Sequence, residues 1–525
     1  MSRNEDLEWT SPPLRLLLGG LLCFTLWTAG LVTYRLFFHP LARIPGPLLQ
    51  RISGLPRIWQ CYVGNRYLCE IQAHEKYGPV VRTGPNSVIF NTLSSLQALH
   101  LKKSANVFKG EEFYGLLDGG PAGGKSVQMI ADHEAHSARR RLLDKALPPR
   151  DQVFQDINAL SRDLVAVMED EASTNGGIVD IARVTSWYSF DVISTIAFGQ
   201  AFDMMHTTTW RWLPLCLQQM SAFLYAAGFA SGHVPVLRFF QWLLRTGWPS
   251  RLGWTTAVQA QNYADLAAER VLDRGRRLKG EAGLEAPGRK DIFGYLMQAR
   301  FHDSADLASE SSLLIAAGSD AVRFAVAATM FYLLQNQDAK AKVTAEVRSL
   351  DLGEDGLSES KIASLKYLRA CLDEGMRLSP PKAGSIPRET GAGGIVIDGV
   401  SIPEGMTVAT TTYALHRDPE IYKEPFQYNP DRWLERPHDP RLYAAFTPFM
   451  KGPRACPGKA IAYVAMQTVL FHIFRELDVE VVTEESQGAE RVKIGTKSWR
   501  YQNDYPFNDW VIGYTKGPFV HIGQA

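Results

Sequence analysis

FMKGPRACPG, residues 449–458, is followed by apolar residues spaced three and four apart from Ile461 to Phe471, the pattern of an amphipathic helix. Pro457 suits the first helical position, because the N–H that proline lacks would have no partner inside the helix there. Free N–H groups and the helix dipole at that end favour a negatively charged sulfur at Cys456. We therefore predict that Cys456 is a thiolate ligand at the start of a helix.

The residues around Cys456 make this interpretation specific. We expect Gly452 and Gly458 to let the backbone approach a flat ligand closely, and Arg454 to pair with a carboxylate on that ligand. The pattern Phe-x-x-Gly-x-Arg-x-Cys-x-Gly, which starts at Phe449, arises by chance in only about one chain in ten thousand of this length. An isolated cysteine is usually an inert, small hydrophobic residue, and we expect that of the others. These are Cys23, Cys61, Cys69, Cys216 and Cys371.

Composition and charge exclude several classes of protein. A chain of 525 residues that is 46% hydrophobic and 21% charged is not mainly disordered. Because 56 basic residues face 55 acidic ones, the net charge is +1 and no chain-wide field attracts nucleic acid. The cysteines form no Cys-x-x-Cys pair, which argues against a disulfide framework or a structural zinc site.

Residues 449–458 resemble the haem-binding loop of the cytochrome P450 superfamily. In that family the cysteine thiolate is the axial ligand of the haem iron and favours cleavage of the O–O bond. The resemblance implies that haem b is the cofactor and that Cys456 binds its iron. It also implies that Phe449, Gly452, Arg454 and Gly458 shape the haem site.

Two upstream segments match a second motif of that family. Glu374 and Arg377 lie three apart on one helix face, and such a pair alone contributes only about 0.2 to 0.5 kcal/mol. Arg432 follows in the sequence PDRW. In the family, a Glu-x-x-Arg motif and a later arginine form a buried charge triad that supports the haem loop, and the resemblance implies this role here. Loss of one member should then cost roughly 3 to 5 kcal/mol.

A long apolar helical pattern covers residues 311–334 and is interrupted by AAGSD at 316–320. We expect its small residues, including Gly318, to leave room for a ligand. The run resembles the oxygen-binding helix of the P450 family, with Asp320 as its one acid. It departs from the family pattern because Ala321 and Val322 stand where a threonine usually helps to relay protons.

That departure bears on the reaction, because cleavage of an O–O bond requires protons and an alanine side chain cannot donate one. One hypothesis is that Ser319, Asp320 with ordered water, or a hydroxyl of the substrate relays protons past Ala321. The alternative is an oxidase that couples groups or closes a ring without inserting oxygen.

The segment DHEAHSARRR, residues 132–141, places His136 and Arg140 four apart on one helical face. The resemblance implies that both contact the haem propionates, and Arg388 is a further candidate. We expect Arg139 and Arg141 to be solvated.

A basic surface that also holds Lys145 and Lys451 would suit docking of an acidic electron-transfer flavoprotein. The sequence has no flavin or nicotinamide fingerprint of its own, so electrons must come from a partner. The resemblance implies NADPH-cytochrome P450 reductase as that partner.

Residues 16–34, LLLGGLLCFTLWTAGLVTY, carry no charge and span roughly 30 Å as a helix, enough for one bilayer core. Arginines follow this segment, so the positive-inside rule leaves the rest of the chain in the cytosol. A cleaved signal peptide is the alternative, but the leading segment is acidic and no clear cleavage site follows. We predict an anchor at residues 1–37, single-pass in the endoplasmic reticulum membrane, and a cytosolic catalytic domain at 38–525.

The remaining pattern predicts one mainly α body with small β-sheets, in agreement with the P450 fold that the resemblance implies. Helical periodicity dominates residues 151–350, and strand-like runs are confined to 80–91 and 394–411. Prolines at 40, 45 and 47 predict a stiff spacer after the anchor. The segment from 34 to 47, YRLFFHPLARIPGP, resembles the junction of fungal members, many of which tailor secondary metabolites.

Two other classes of function are alternatives. GGPAGGKS, residues 119–126, fits the phosphate-loop expression, but the preceding residues 109–118 are too charged for a buried strand, so we favour a substrate-capping loop over a membrane-anchored NTPase. A non-catalytic haem-thiolate sensor is the other alternative. The abundance of aromatic and apolar residues suggests a hydrophobic substrate, with candidate contacts at 113–125, 385–387 and 505–507.

Overall fold

The computed structural model describes residues 12–102, 105–114, 124–231, 255–280, 289–299, 303–435, 439–482 and 504–525. The predicted phosphate-loop segment therefore lies outside the described residues up to position 123, as do residues 115–118 of the candidate substrate-contact loop.

The apolar N-terminal segment is helical, as its length and composition predict. Helix α1, Pro12–Thr33, continues into one π-helical turn, Tyr34–Phe38, and the candidate membrane span Leu16–Phe38 is not buried against the rest of the protein. The following prolines give a short segment of turns before the next helix begins at Leu48. A second apolar helix of sufficient length, Ser304–Gln335, is mostly buried and is a core helix.

Most of the described body is helical. The first group of helices runs from the spacer to the middle of the chain: α2 Leu48–Ile52, α3 Leu55–Val63, α4 Arg66–Tyr77, α5 Leu93–Leu96, α6 Glu111–Tyr114, α7 His133–Ala146, α8 Arg150–Thr174, α9 Ile181–Phe198 and α10 Leu213–Ser231. A π-helical turn, Gln97–Leu101, follows α5.

The second group runs to the C-terminal region: α11 Thr255–Leu278, α12 Ile292–Gln298, α13 Ser304–Gln335, α14 Gln337–Arg348, α15 Glu359–Ser364, α16 Lys366–Leu378, α17 Thr412–Leu415, α18 Pro440–Ala445 and α19 Lys459–Glu476. Two short 3₁₀ turns, Pro430–Trp433 and Gly452–Arg454, precede α18 and α19 respectively.

The strands are short: β1 Val80–Gly84, β2 Ser87–Phe90, β3 Val107–Phe108, β4 Ile178–Asp180, β5 Arg388–Thr390, β6 Ile395–Ile397, β7 Val400–Ile402, β8 Thr407–Thr410, β9 Leu477–Val481, β10 Asn508–Trp510, β11 Ile512–Tyr514 and β12 Phe519–Gln524. A five-stranded sheet has the order β1-β2-β8-β5-β3, in which β2 and β8 are parallel. Strands β4, β12 and β9 form a second sheet, and β6-β7 and β10-β11 are two-stranded hairpins. The mainly α prediction and both predicted strand regions are confirmed.

The hydrophobic core surrounds α13, which packs against α9, α11 and α16. Close approach of α13 and α9 depends on Gly318, because a Cβ at that position would lie 2.4 Å from the Ile193 side chain. The expectation that Gly318 makes room for a ligand is therefore wrong, since its missing side chain makes room for a neighbouring helix.

Candidate active site

The loop that carries Cys456 is held by its own backbone and by the π-helical turn after α5. The Cys456 N–H donates to the Phe449 carbonyl at 2.9 Å, and the Phe449 ring lies 5.0 Å from that of Tyr463. Gly452 has φ +75°, and a Cβ there would lie 1.8 Å from the His100 carbonyl oxygen. Gly452 is thus needed for contact with another backbone segment, whereas we expected it to face a ligand.

The Cys456 side chain is exposed, whereas those of Cys61, Cys216 and Cys371 are buried. Burial by the surrounding protein raises the pKa of the Cys456 thiol, and the Gly458 N–H, Arg140 and Lys459 oppose that shift. The sulfur is therefore reachable but set among atoms that displace water. A Cβ at Gly458 would lie 3.9 Å from the sulfur, an ordinary contact.

The predicted position of Pro457 is wrong. Helix α19 begins at Lys459 with Gly458 as its N-cap, so Pro457 lies outside the helix. The two residues after Cys456 form a turn. The Gly458 N–H, which belongs to this turn and its helix N-cap, lowers the pKa of the Cys456 thiol.

Glu374, Arg377 and Arg432, the charge triad, lie together and are buried. Arg377 holds Glu374 through two hydrogen bonds of 2.8 and 2.9 Å, and Arg432 adds one of 3.0 Å. The Trp433 indole and the Asn429 N–H also donate to this carboxylate, at 3.0 and 2.9 Å. Although burial opposes it, the two guanidinium groups hold the pKa of Glu374 below its usual value.

His416 connects the charge triad to the cysteine loop. Its Nδ1 lies 3.1 Å from the Arg377 carbonyl, and its Nε2 accepts from the Thr447 N–H at 2.9 Å, two residues before Phe449. Burial, with a contribution from Arg377, lowers the pKa of His416 to about 3. The ring is therefore neutral, with a proton on Nδ1. Sequence reasoning missed His416, because nothing local distinguishes it from any other core histidine.

Four cationic or potentially cationic side chains, the basic cluster, face one another beside the cysteine loop: Lys109, His136, Arg388 and Arg454. Burial first, then Arg454 and Arg388, lowers the pKa of Lys109 to about 6. Burial first, then Arg454 and Lys109, lowers that of His136 to about 3. Sequence reasoning missed Lys109, which lies in a segment singled out only for its charge.

The basic cluster has hydrogen bonds but no acid. Arg454 donates to the carbonyls of Ile130 and Ala131 at 2.6 and 2.7 Å. Arg388 donates to the Tyr114 hydroxyl at 3.1 Å, and Lys109 donates to the Gln128 carbonyl. Within the described part of the chain, no carboxylate forms an ion pair with these side chains. A ligand that carries two carboxylates would compensate this buried positive charge.

Arg140 has a different set of partners. Its Nε donates to Asp144 at 2.8 Å and its Nη1 donates to the Ala455 carbonyl at 2.6 Å. The Arg140 side chain thus supports the cysteine loop by its hydrogen bond to Ala455, the residue that precedes Cys456. Arg140 also contributes to the lowered pKa of His136, one turn earlier, and so lies beside the basic cluster.

In the middle of α13, Ala317 is exposed and Ala321, one turn later, is partly exposed. Leu313, Leu314, Ala316 and Gly318 are also partly exposed, whereas Ser319, Asp320 and residues 322–330 are buried. Ser319 is fully buried, and its hydroxyl donates to the Ile315 carbonyl at 2.7 Å. The open face at Ala317 and Ala321 therefore carries methyl groups, and Ser319 is not on it.

Asp320 is buried and bound to the C-terminal hairpin β10-β11. Its Oδ2 accepts from the Tyr514 hydroxyl at 2.7 Å, and Arg323 lies 3.5 Å from its Oδ1. Arg323 also donates to the Gly513 carbonyl at 3.2 Å. Burial raises the pKa of Asp320, while Arg323 and Tyr514 lower it. Tyr514, which also lies 3.4 Å from the Ser221 hydroxyl, was missed by sequence reasoning.

Of the two arginines that we expected to be solvated, Arg141 is exposed and Arg139 is not. Arg139 is not solvated, because it pairs with Asp306 and with the buried Glu310. Arg141 and Lys145 are exposed and Lys451 is partly exposed. Arg139 thus joins α7 to the start of α13.

The described end of the phosphate-loop sequence is bonded to an acid of α13. The Lys125 N–H donates to the Asp306 carboxylate at 2.7 Å, so a negative group already occupies the place of a phosphate. Turns follow Ser126, and the next helix begins only at His133. Both observations agree with our rejection of a nucleotide site.

The candidate substrate contacts near the C-terminus are core residues. Tyr505 and Phe507 are 2% and 1% exposed and pack against Phe324. Ser385 is also buried, and its hydroxyl donates to Glu70 at 2.6 Å. Of the predicted loop 113–125, Phe113 is buried in an aromatic cluster with Tyr225 and Phe229.

Helices surrounding a long core helix, an accessible cysteine beside a basic cluster, and a buried charge triad define a haem-thiolate class of protein. The family model described as cytochrome P450 matches residues 58–502. The chain therefore belongs to the cytochrome P450 family, whose members are oxidoreductases.

Fungal monooxygenases are among its relatives. The chain is 32% identical to cytochrome P450 monooxygenase fscF of Fusarium equiseti, over 89% of this chain and 90% of that protein. It is 30% identical to cytochrome P450 monooxygenase poxM of Penicillium oxalicum, over 97% and 95%. It is 28% identical to the trichothecene C-15 hydroxylase of Fusarium sporotrichioides, over 92% and 95%.

The residues present fit a haem. Cys456 supplies an accessible sulfur ligand, and the basic cluster beside it lacks the two negative charges that haem propionates would bring. The open face at Ala317 and Ala321 has no side chain larger than a methyl group at those two positions. A cysteine sulfur and a largely buried rim of cations are the chemistry that a haem-thiolate site requires.

Proposed function

We propose that this chain is a membrane-anchored haem-thiolate monooxygenase that oxidises a hydrophobic small molecule in fungal secondary metabolism. The single observation that carries the proposal is the accessible Cys456 beside a buried cluster of cations without acids. Haem b, when bound, supplies reductive activation of O₂ and oxidation of the substrate. Electrons come from NADPH through cytochrome P450 reductase.

Different residues of the chain would bind the iron, bind the propionates and position the cysteine loop. Cys456 holds the iron, and the Gly458 N–H and Arg140 stabilise the charge on its sulfur. Lys109, Arg388 and Arg454 hold the propionates. The charge triad fixes Phe449 and Cys456 through His416 and Thr447. The hydrogen-bonded loop thus presents the sulfur without rearrangement.

The proton route is the second part of the proposal. Asp320 accepts a hydrogen bond from the Tyr514 hydroxyl and directly precedes Ala321 in α13. Ser319 donates its proton to its own helix and is not a relay. We therefore assign proton transfer to Asp320, supplied through Tyr514.

A second candidate reaction rests on the same open face. Because Ala317 and Ala321 carry methyl groups, no hydroxyl from these two positions faces a bound substrate. This favours the oxidase alternative, in which hydrogen abstraction leads to coupling or ring closure without insertion of oxygen. Product formed per NADPH consumed by the wild type and by Ala321→Thr tests whether the missing hydroxyl limits the reaction: a gain by the variant shows that it does, and no gain shows that it does not. Mass spectrometry of the product formed under labelled O₂ separates the two reactions, because only the monooxygenase transfers an oxygen atom to the product.

The membrane anchor and the orientation are also proposed. The exposed span Leu16–Phe38 is continued by exposed apolar side chains on α2 and α3, among them Leu49, Leu55 and Trp59. Tryptophan beside a spanning helix is typical of the membrane interface. We assign the span to the endoplasmic reticulum with the body in the cytosol. Resistance to carbonate extraction, lost when residues 1–37 are deleted, tests the anchor.

The central experiment is the spectrum of the reduced carbon monoxide complex. We expect the full chain, expressed with ample haem, to give the 450 nm band typical of a thiolate ligand. Cys456→Ala should lose the band completely, and the matched control Cys69→Ala should retain it. A colourless wild-type protein, or a band that survives in Cys456→Ala, would refute the function. Substrate turnover with NADPH and reductase then distinguishes an enzyme from a sensor.

A further inference from the structure

A second group of side chains on α16 leads to the cysteine loop. Asp373, which directly precedes Glu374 of the charge triad, binds a different partner with each of its two oxygens. Its Oδ1 accepts from the Tyr463 hydroxyl at 2.6 Å, and its Oδ2 accepts from Arg369 Nε at 2.9 Å. The Arg369 guanidinium also lies over the Tyr463 ring, 3.4 Å from the ring centre. Tyr463, Asp373 and Arg369, the tyrosine clamp, therefore fix one another between α16 and α19.

The tyrosine clamp reaches from the protein surface into the core. Tyr463 and Asp373 are buried, whereas the Arg369 side chain is 38% exposed. Burial raises the pKa of Asp373, while Arg369 and the Tyr463 hydroxyl lower it. Because a buried carboxylate is stabilised by such donors, the two hydrogen bonds hold Asp373 in one orientation, and Asp373 in turn holds the Tyr463 hydroxyl.

Tyr463 contacts the cysteine loop at Phe449. The centres of the two rings lie 5.0 Å apart, and their planes are tilted by 44°. The Phe449 carbonyl accepts from the Cys456 N–H at 2.9 Å. Tyr463 thus packs against the residue whose carbonyl fixes the backbone of Cys456.

The backbone beside Phe449 is strained. Met450 has φ +56°, and Gly452 has φ +75°. Glycine adopts this left-handed region freely, but a methionine stays there only where the surrounding contacts determine its conformation. The Met450 N–H donates to the Thr447 carbonyl at 3.0 Å, and Tyr463 packs against the residue immediately before Met450. The loop therefore needs support at Phe449 to keep its shape.

We infer that Tyr463 is a positioning residue for the cysteine ligand, and that Asp373 acts on the cysteine loop through the Tyr463 hydroxyl. This inference rests on the proposed haem-thiolate function. The tyrosine clamp is a separate support from the charge triad, which reaches the loop through His416 and Thr447.

The test uses the full chain with haem bound, reduced under carbon monoxide, and compares the decay of the 450 nm band with the total haem retained. Tyr463→Leu removes the ring and the hydroxyl and should speed the decay about tenfold while haem is retained. Tyr463→Phe keeps the ring and should speed the decay about threefold, because it loses only the hydrogen bond to Asp373. Asp373→Ala should have about the same effect as Tyr463→Phe.

The double variant shows whether Asp373 acts through Tyr463. When Tyr463→Phe is already present, Asp373→Ala should change the decay rate by less than about 1.5-fold, because the hydrogen bond that joins the two residues is already lost. An effect of Asp373→Ala that persists in full in the Tyr463→Phe background overturns the inference.

Tyr188→Phe is the matched control. Tyr188 is fully buried, and its hydroxyl donates to the Ala465 carbonyl of α19 at 3.1 Å and lies 3.0 Å from the Ser161 hydroxyl. Both partners lie outside the cysteine loop, so this variant should keep the decay rate within about twofold of the wild type. Decay as fast as in Tyr463→Leu would mean that any loss of packing on α19 has the same result, and it overturns the inference.

Two further results decide against the inference. A wild-type decay rate in either Tyr463 variant overturns it, as does a decay that is matched by an equal loss of haem. If Tyr463→Leu does not fold, the two milder variants and their double variant decide in the same way. The 450 nm band keeps the two proposals apart, because its absence from the wild type refutes the haem-thiolate function itself.

Discussion

The charge triad and the basic cluster are both buried and both rich in arginine, yet they differ in how their charge is satisfied. In the triad, Glu374 accepts from two arginines, a tryptophan and a backbone N–H, and Arg377 donates its remaining protons to carbonyls including those of His416 and Pro425. In the basic cluster, described carboxylates form no ion pair with Lys109, Arg388 or Arg454. A cluster that is complete in itself supports the fold, whereas one that lacks its counter-charges is built for a ligand.

The largest expected effect is on the triad. Glu374→Gln should lower the free energy of unfolding by roughly 3 to 5 kcal/mol, because two buried guanidinium groups lose their compensation. Urea denaturation followed by circular dichroism measures the loss. The control Glu359→Gln breaks a pair with the exposed Arg150 and should cost less than about 1 kcal/mol. Equal losses in the two variants would mean that the triad does not stabilise the fold.

The second prediction concerns acid stability through His416. Its pKa is about 3 in the folded protein against an ordinary value of 6.5, so the unfolded chain binds this proton more readily. The stability it contributes is complete above pH 6.5 and is lost as the pH falls towards 3. One such group changes the free energy of unfolding by about 1.4 kcal/mol per pH unit. His416→Gln should reduce the slope of stability against pH by that amount, and an unchanged slope would contradict the assignment.

The third prediction is that a substitution in the basic cluster weakens haem binding without lowering the free energy of unfolding, in contrast to a substitution in the triad. Lys109→Met should release haem about tenfold faster, equivalent to about 1.4 kcal/mol, because one cation facing the propionates is lost. The haem-free protein should be no less stable, because the folded-state pKa of Lys109 is only about 6 and its burial costs stability below its unfolded value. Transfer of haem to apomyoglobin measures the rate. Unchanged haem release, or a destabilised haem-free protein, would contradict the view that the basic cluster serves a ligand and not the fold.

The smallest expected effect tests whether the triad stabilises the protein because its charges are buried, and not because of where they lie in the sequence motif. Asp431 precedes Arg432 but pairs with Lys342 at the surface, with side chains 49% and 54% exposed. Asp431→Asn should change the free energy of unfolding by less than about 1 kcal/mol. A loss comparable to that of Glu374→Gln in the same urea titration would show that exposure does not separate the two acids.

Sequence reasoning worked where the chemistry is carried by a local spacing. The loop around Cys456, the Glu374 and Arg377 pair, and the apolar helix that became α13 are all visible in short windows of sequence. It failed for Gly318, Gly452 and Ser319, whose roles depend on contacts with Ile193, the His100 carbonyl and a helix carbonyl. The position of Pro457 was wrong because a two-residue turn separates the cysteine from its helix.

By itself, the sequence determined the class of the protein, since a cysteine in that pattern of glycine, arginine and phenylalanine is improbable without a haem, and the helical periodicity predicts a mainly α body. Only the tertiary structure brought Lys109 to Arg388 and Asp320 to Tyr514. The physical reason is that helix periodicity and motif spacing are local, whereas burial and unmatched charge arise between segments that only the folded chain brings together.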